Sequence, residues 1–495
     1  MPVLALPPET GPGSQRQAGQ AFIPLVIDLD GTVVRTDTLI EALLRLAATR
    51  PLLLLALVPT LLRQGRAAFK RRVAVAVRLD PAALAYNEDV VSLARDARAA
   101  GRPVFLATAS DRDVADAVAG HLGLFDGVFA SENNVNLKGE AKAALLAAKF
   151  GEAGFDYAGD AEVDRPVWGR SRRAIMVLPS AGLARQVMAE CPDAAALGRR
   201  PGALAQLRVI AKAMRVHQWA KNVLIFVPVL AAHQAALPAG LRAAVAFAAF
   251  SLCASSVYLL NDLVDLPHDR SHPSKRRRPF ASGALPLPWA PGLIALTLGG
   301  GLCLAAFLPS SFLLMLVIYY ACTVSYSFAL KRQMVADVLM LAALYTIRVF
   351  AGAAATGIAV SPWLLAFSMF LFFSLAVVKR QSELTLLGRA GRGEVSGRGY
   401  LLEDLHMLHS MAASSGYMAV LVLALYINST DVLPLYRTPQ ALWLLCPVLL
   451  FWISRVLMLS QRGHLHDDPV VFALTDRVSL LTGAVGFCIV IAASV

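Results

Sequence analysis

Charge is scarce in this chain. Only 16% of its 495 residues are Asp, Glu, Lys or Arg, while 57% are hydrophobic. Soluble domains carry about a quarter charged residues, so an ordinary, fully soluble protein is excluded. The charge that is present leans basic, at a formal +12. Cysteines are few. Cys191, Cys253, Cys303, Cys322, Cys446 and Cys488 show no paired spacing and lie mostly within apolar runs, which reads as buried free thiols rather than a disulfide framework or thiolate metal centre. The opening stretch MPVLALPPETGPGSQRQ lacks a basic region followed by an apolar core, so no secretory signal is expected and the soluble part is expected to stay in the cytoplasm. Aromatic and basic residues do not interleave on the polar half, which argues against a nucleic-acid partner. No repeat is visible beyond an alanine bias.

The apolar excess is uneven. Residues 1–200 read as soluble, whereas from about residue 222 onward apolar runs recur, with lengths near the ~20 residues that cross a bilayer. Candidate spans cover roughly 222–235, 241–260, 289–307, 312–329, 336–356, 362–378, 412–428, 441–459 and 478–495, about nine in all, with Pro228 interrupting the first. Only helices and closed barrels satisfy backbone groups in lipid, and period-two strands are not apparent, so helices are expected. The connecting loops differ in charge. One set holds Arg270, Lys275, Arg276, Arg277 and Arg278, then Lys331 and Arg332, then Lys379, Arg380, Arg389, Arg392 and Arg398, then Arg462 and Arg477. The alternate set, near 236–240, 308–311, 357–361 and 429–440, holds only Arg437. The positive-inside rule turns the basic loops to the cytoplasm. The expectation is a multi-pass protein of the inner (cytoplasmic) membrane, with its amino end inside and its carboxyl end outside.

One basic loop is also acidic. In NDLVDLPHDRSHPSKRRRPF, residues 261–280, Asn261 and Asp262 close a span and Asp265 and Asp269 follow at spacings of three and four. On a continuing helix the three acids share a face near the membrane surface. Clustered carboxylates repel one another unless a cation intervenes. Magnesium suits them, because it takes oxygen ligands and is commonly held by carboxylates together with phosphates. The basic run that follows would neutralise phosphate charge. A topology signal and a contact for anionic lipid are its plainer reading.

NDLVDLPHDR followed by KRRRPFASG resembles the first aspartate-rich motif of the UbiA-type polyprenyl transferase superfamily, and the resemblance covers about residues 205–495. It implies membrane helices around a cavity open sideways to lipid, with an isoprenoid whose polar head meets magnesium at the cytoplasmic mouth. Aromatic prenyltransferases of the superfamily carry a second motif, two acids four residues apart, after the fourth span. This chain instead reads YSFALKRQMVAD, with Tyr326, Ser327, Lys331 and a single acid, Asp337. That pattern resembles the branch that makes polyprenyl-phosphate phosphoribose. So do RVHQWAKN, with Arg215, Gln218, Trp219, Lys221 and Asn222, and the closing HDDPVVFALTDRVS, with Asp467, Asp468, Asp476 and Arg477.

The resemblance implies a transferase of EC 2.4 or 2.5 type with phosphoribosyl diphosphate as donor and polyprenyl phosphate as acceptor. Magnesium is expected on Asn261, Asp262, Asp265 and Asp269, the last either as a ligand or beside the ligands. Lys221, Asn222, Lys275, Arg277, Arg278, Tyr326, Lys331, Asp337, Asp467, Asp468 and Arg477 form the candidate substrate-binding set. For each lysine taken alone, snorkelling at the membrane edge is the alternative. Arg348, inside a span, is costly in lipid and is expected to face the cavity.

The polar half opens with PLVIDLDGTVVRTDTL, a short apolar run of the kind that forms a buried parallel strand, ending in two acids separated by one residue. PVFLATAS with Thr108, GEAKAALL with Lys142, and YAGDAEVD with Asp160 and Asp164 follow in order. Strand-like and helical runs alternate, as in an α/β domain. The set resembles the haloacid dehalogenase superfamily over roughly residues 21–180, and implies a Rossmann-like phosphatase. By that resemblance Asp28 is the nucleophile, Asp30 the general acid and base, and Thr108 and Lys142 the phosphoryl-binding groups. Asp28 and Asp160 would ligate magnesium, with Asp164 supporting them. A helical insertion at about 36–95 is expected to be a substrate-selecting cap. Its segment PLLLLALVPTLL, 51–62, is too short for a span and is flanked by Arg45, Arg50, Arg63, Arg66, Lys70, Arg71 and Arg72. It suits either the membrane interface or a buried hairpin.

The expected architecture is therefore multidomain: a disordered amino end (1–20), the α/β hydrolase-like domain (21–180), a linker (181–210), and an all-α membrane domain (211–495). The expected chemistry is phosphoribosyl transfer, with the fused phosphatase removing the 5-phosphate of the product. An aromatic prenyltransferase would need an acid pair that is not found. A transporter would need ionisable groups near the midplane rather than in loops on one face. Membrane lipid is an expected partner, and an oligomer is compatible with the sequence.

Overall fold

The structure is a computed structural model describing residues 23–132, 136–232, 237–272, 275–389, 399–429, 436–465 and 468–494. The amino end expected to be disordered and the candidate residue Asp467 lie outside the described residues. The chain forms two compact units, one of residues 1–213 and 260–292, the other of 214–259 and 293–495.

The first unit is built on a parallel sheet of β1 (Leu25–Ile27), β2 (Val104–Asp111), β3 (Gly127–Ser131), β4 (Asp156–Gly159), β5 (Arg173–Val177) and β6 (Ala195–Leu197), in the order β3-β2-β1-β4-β5-β6. Both faces are covered, which is why the strands read as unbroken apolar runs. Alternation divides the side chains between two cores. Leu25, Ile27, Val104 and Leu106 point to one face, and Val26, Ala107, Tyr157, Ala174 and Met176 to the other. Strand order reverses beside β1, so its carboxyl end opens on a switch-point crevice, the usual place for ligands in such sheets.

Two helices, α1 (Thr38–Thr49) and α2 (Pro51–Ala76), leave the sheet directly after β1. Asp37 caps α1 by accepting a hydrogen bond from the Ile40 amide at 3.0 Å. The expected insertion of 36–95 is smaller than its range. Its last helix, Glu88–Ala99, buries Val90, Val91, Ala94 and Ala97, and Val90, Ala94 and Ala97 join the core of the sheet. The stretch 51–62 lies within α2, where Leu57 is buried while Leu52 and Leu62 are exposed. The same unit contains the helix Leu266–Ser271 and the basic turn Lys275–Arg277.

The second unit is helical. Among the described residues, eight helices are long and apolar enough to cross a membrane, from Leu237–Val264 to Arg477–Ser494. The first expected span differs. Val216–Phe226 is a 3₁₀ segment, followed by one short helix, Val227–Ala231. Pro228 takes the first turn of that helix, where its missing N–H costs nothing. This irregular segment lies close against the helix Ala336–Thr356. A Cβ on Gly352 would stand 2.0 Å from the Ile225 carbonyl oxygen, so glycine permits a backbone-to-backbone approach that any side chain would block.

Candidate active sites

At the carboxyl end of β1 the chain turns sharply through Gly31, whose φ is +78°, a conformation glycine adopts readily. A Cβ there would lie 2.3 Å from Asp160 Oδ2. The bare glycine therefore lets the acid from the end of β4 reach the β1 loop. Lys142, buried on the helix Glu140–Phe150, donates to Asp28 Oδ1 at 2.8 Å and to the Tyr157 hydroxyl at 2.8 Å. The Tyr157 hydroxyl in turn donates to Asp164 Oδ1 at 2.9 Å. Asp30 is held from two sides, by the Thr38 amide at 2.7 Å and the Ser110 hydroxyl at 2.5 Å. Thr108 accepts from the Ser110 amide at 3.0 Å.

Oxygens of Asp28, Asp160 and Asp164 lie within 4.8 Å of one another. Burial pushes the Asp28 carboxyl up to about 7 against the pull of Lys142. Burial, reinforced by Asp164, raises Asp160 to about 7 as well. Asp30 is also raised, by burial and then by Asp37. Lys142 keeps its charge because Asp28 and Asp164 outweigh its burial. Crowded carboxylates that resist ionisation are a donor set suited to a hard divalent cation. The structure thus brings together Asp28, Asp30, Thr108, Lys142, Asp160 and Asp164, and gives roles to Ser110 and Tyr157, which close PVFLATAS and open YAGDAEVD but had been assigned none.

The aspartate-rich segment, in the same compact unit, continues helically past the span. The Asp265 amide donates to the Asn261 carbonyl at 2.9 Å, and the Asp269 amide to the Asp265 carbonyl at 2.8 Å. Asp262 and Asp269 are buried and converge on one guanidinium, with Arg278 Nη1 3.2 Å from Asp262 Oδ1 and 2.6 Å from Asp269 Oδ2. Two carboxylates meeting on one cation are donors of the type a divalent ion takes, although among the described residues only Asp28, Asp160 and Asp164 form a group of three acids gathered within 4.8 Å. Asn261 and Asp265 are half-buried beside them, Lys275 is half-buried and Arg277 is exposed.

The second unit holds another polar cluster. Asp468 Oδ2 accepts from Lys221 Nζ at 2.7 Å and from Lys379 Nζ at 2.9 Å. The Tyr345 hydroxyl lies 2.7 Å from its other oxygen. Arg348 Nε donates to Asn222 Oδ1 at 2.8 Å, and Asn222 to the Ser251 hydroxyl at 2.9 Å. The Arg348 guanidinium sits 5.4, 5.1 and 5.7 Å from the ring centres of Phe250, Tyr319 and Tyr345, a cation–π cage. In this cluster the buried Lys221 and the half-buried Lys379 meet one carboxylate, and the buried Arg348 is tied in through Asn222 and the Tyr345 ring. Lys221, Asn222, Arg348 and Asp468 are thus brought together, joined by Lys379 and Tyr345.

Four expected substrate residues lie elsewhere. Asp337 is fully buried, with Oδ2 accepting from Arg380 Nε and Oδ1 from the Tyr400 hydroxyl, each at 2.5 Å. Tyr326 accepts from Arg380 Nη2 at 3.0 Å. Both belong to an internal clamp whose bonds are made within the protein. Arg477 is exposed, and its neighbour Asp476 is held by Arg455 at 2.7 and 3.1 Å. Lys331 is half-buried in the turn Leu330–Arg332.

Two family profiles match the chain. The profile of the UbiA prenyltransferase family matches residues 222–481, and that of haloacid dehalogenase-like hydrolases matches 25–168. An uncharacterised protein, y4nM, of Sinorhizobium fredii is 37% identical over 93% of this chain and 89% of its own length. The nodulation protein NoeC of Azorhizobium caulinodans is 39% identical over 54% of this chain and 88% of its own. Decaprenyl-phosphate phosphoribosyltransferase of Mycobacterium tuberculosis is 34% identical over the same shares. A solved UbiA homologue of Archaeoglobus fulgidus, bound to GPP and Mg2+, aligns with a TM-score of 0.45 at 16% identity, over 57% of this chain and 99% of that one.

Proposed function

The chain belongs to the UbiA prenyltransferase family and carries an amino-terminal haloacid dehalogenase-like domain, and from this we propose that it transfers phosphoribose from phosphoribosyl diphosphate to a polyprenyl phosphate and then removes the 5-phosphate. The observation that carries this reading is the polar cluster in which Lys221 and Lys379 meet Asp468, with Arg348 tied in through Asn222 and the Tyr345 ring. A site with more cation than anion suits substrates that bring several phosphate charges. Relatives named decaprenyl-phosphate phosphoribosyltransferase support the same reading. The charge of the connecting loops supports an inner-membrane location with the hydrolase half in the cytoplasm.

In the transfer step the lipid phosphate oxygen attacks C1 of the ribose and the diphosphate leaves, so no side-chain nucleophile is needed. Magnesium on the Asp262–Asp269 segment would polarise the departing diphosphate. Lys221 and Lys379 would bind phosphate oxygens as fixed cations where developing charge appears. In the second step Asp28 attacks the 5-phosphorus. The P–O bond to the ribose breaks, and Asp30 protonates the departing O5. Asp30 then takes a proton from the water that attacks the aspartyl phosphate, releasing inorganic phosphate and restoring Asp28. Lys142 and Thr108 hold the phosphoryl oxygens. The Ser110 hydroxyl keeps Asp30 oriented throughout.

The test is incubation of the purified protein in lipid with Mg2+, polyprenyl phosphate and ribose-labelled phosphoribosyl diphosphate. Labelled lipid that disappears in Asp262→Ala is expected. No labelled lipid, with activity instead on a prenyl diphosphate and an aromatic acceptor, refutes the reading.

A further inference from the structure

Arg270 follows Asp269 directly, and its guanidinium is held in two directions. Nε donates to the Ala281 carbonyl within its own loop at 3.0 Å. Nη1 and Nη2 donate to the two carboxylate oxygens of Glu41 at 2.7 and 2.8 Å, and Nη1 also reaches the Ala83 carbonyl at 3.1 Å. Glu41 lies in the first turn of α1, 229 residues away in sequence. Both side chains are buried, 6% and 5% exposed, and the Thr36 hydroxyl donates to Glu41 from the other side. A second contact lies further along the loop. Gly283 has φ +71°, and a Cβ there would stand 2.6 Å from Arg35 Cβ. Arg35 and Glu41, on either side of the start of α1, thus meet both ends of the stretch 270–283.

A bidentate carboxylate–guanidinium pair sets orientation as well as distance. Buried, it is costly to break from one side, because the remaining charge has no water to turn to. The segment so fixed is the one in which Asp262 and Asp269 converge on Arg278. We propose that Glu41 is a positioning residue for the membrane transferase. Through Arg270 it holds the aspartate-rich segment in its cation-binding form, so the hydrolase-like half is a structural part of the transferase's metal motif. This rests on the assignment of Asp262 and Asp269 to a divalent cation. It accounts for a long-range buried pair at the residue next to that motif, where a surface loop would leave an arginine in water. The contact also makes α1 common to both halves, since the Thr38 amide at its start binds Asp30.

The test uses the full chain in nanodiscs, carrying Asp160→Asn to silence the other metal site, with Mn2+ as the probe read by electron paramagnetic resonance. The parent is expected to show a Mn2+ site that Asp262→Ala abolishes. Glu41→Ala should weaken that site by about tenfold, as when the support of a metal ligand is removed. Glu41→Gln, which keeps hydrogen bonds from Arg270, should restore most of the affinity, and amide exchange over 261–285 should rise only in Glu41→Ala. Equal Mn2+ affinity in Glu41→Ala and the parent, with the site still lost in Asp262→Ala, overturns the positioning role and leaves the metal assignment standing. A parent whose Mn2+ binding ignores Asp262→Ala overturns both. If Glu41→Ala is not monodisperse, Gly283→Ala takes its place, because it forces the segment off Arg35 without removing a charge. Weaker Mn2+ binding in Gly283→Ala then supports the positioning role, and unchanged binding overturns it.

Discussion

Lys142 is the residue on which the proposed hydrolase site turns. It meets Asp28 at 2.8 Å and Asp164 at 3.6 Å, so Lys142→Met leaves those acids facing one another without their cation. Hydrolysis of a phosphate monoester should fall at least ~100-fold, as for loss of a preorganised charge, with labelled lipid still formed; steady-state kinetics and lipid chromatography check both halves. The acids also set a pH dependence. Asp28 and Asp160 are raised to about 7 in the fold against an ordinary 3.8, so the metal-free folded chain binds more protons there than the unfolded chain. Their stabilising contribution is full below about pH 4 and is lost as pH rises through about 7. In EDTA the thermal midpoint of the sheet domain should therefore fall between about pH 5 and about pH 8, and Mg2+, which replaces the protons, should remove most of that slope. A flat profile in EDTA would count against the site as described. In the membrane half, Lys379→Met should raise the half-saturating concentration of phosphoribosyl diphosphate by about tenfold, the loss of one charge-assisted contact.

At the scale of elements, the close approach at Gly352 gives the firmest expectation. Gly352→Val must push the helix Ala336–Thr356 away from the Ile225 carbonyl. It should cost roughly 1–3 kcal/mol, as overpacking does, seen as a lower melting midpoint in detergent with the sheet domain unaffected. Several elements could be read beforehand because local pattern decides them. The apolar run before Asp28 read as a covered strand, and the acids at 262, 265 and 269 fell on one helical continuation. Others could not. The stretch 222–235 has the composition of a span, but Pro228 and the need to lie against Gly352 make it a 3₁₀ segment and a short helix. Asp337 looked like half of a missing acid pair. Only the partner supplied by Arg380, 43 residues on, shows it to be clamped. Lys379 read as one more basic loop residue until Asp468, 89 residues away, gave it a place.

At the scale of the molecule, two chemistries were visible in two blocks of sequence, but the grouping of the chain was not. Residues 260–292 fall within the family match at 222–481, yet form one compact unit with the parallel sheet. No composition shift marks this, because it depends on pairs such as Glu41 and Arg270 whose side chains carry no periodic signal. The shared unit gives the fusion a physical meaning. On the proposed function, the product of the transfer step would keep its 5-phosphate, and a phosphatase on the same chain would meet it at a raised effective concentration.

The most direct measurement uses phosphoribosyl diphosphate labelled with one isotope in the ribose and another in the 5-phosphate, given with polyprenyl phosphate to the full chain in nanodiscs. The account predicts lipid carrying the ribose label alone in the parent, both labels in equal amounts in Asp28→Asn, and neither in Asp262→Ala. Lipid that keeps both labels in the parent, or that never becomes labelled, contradicts it.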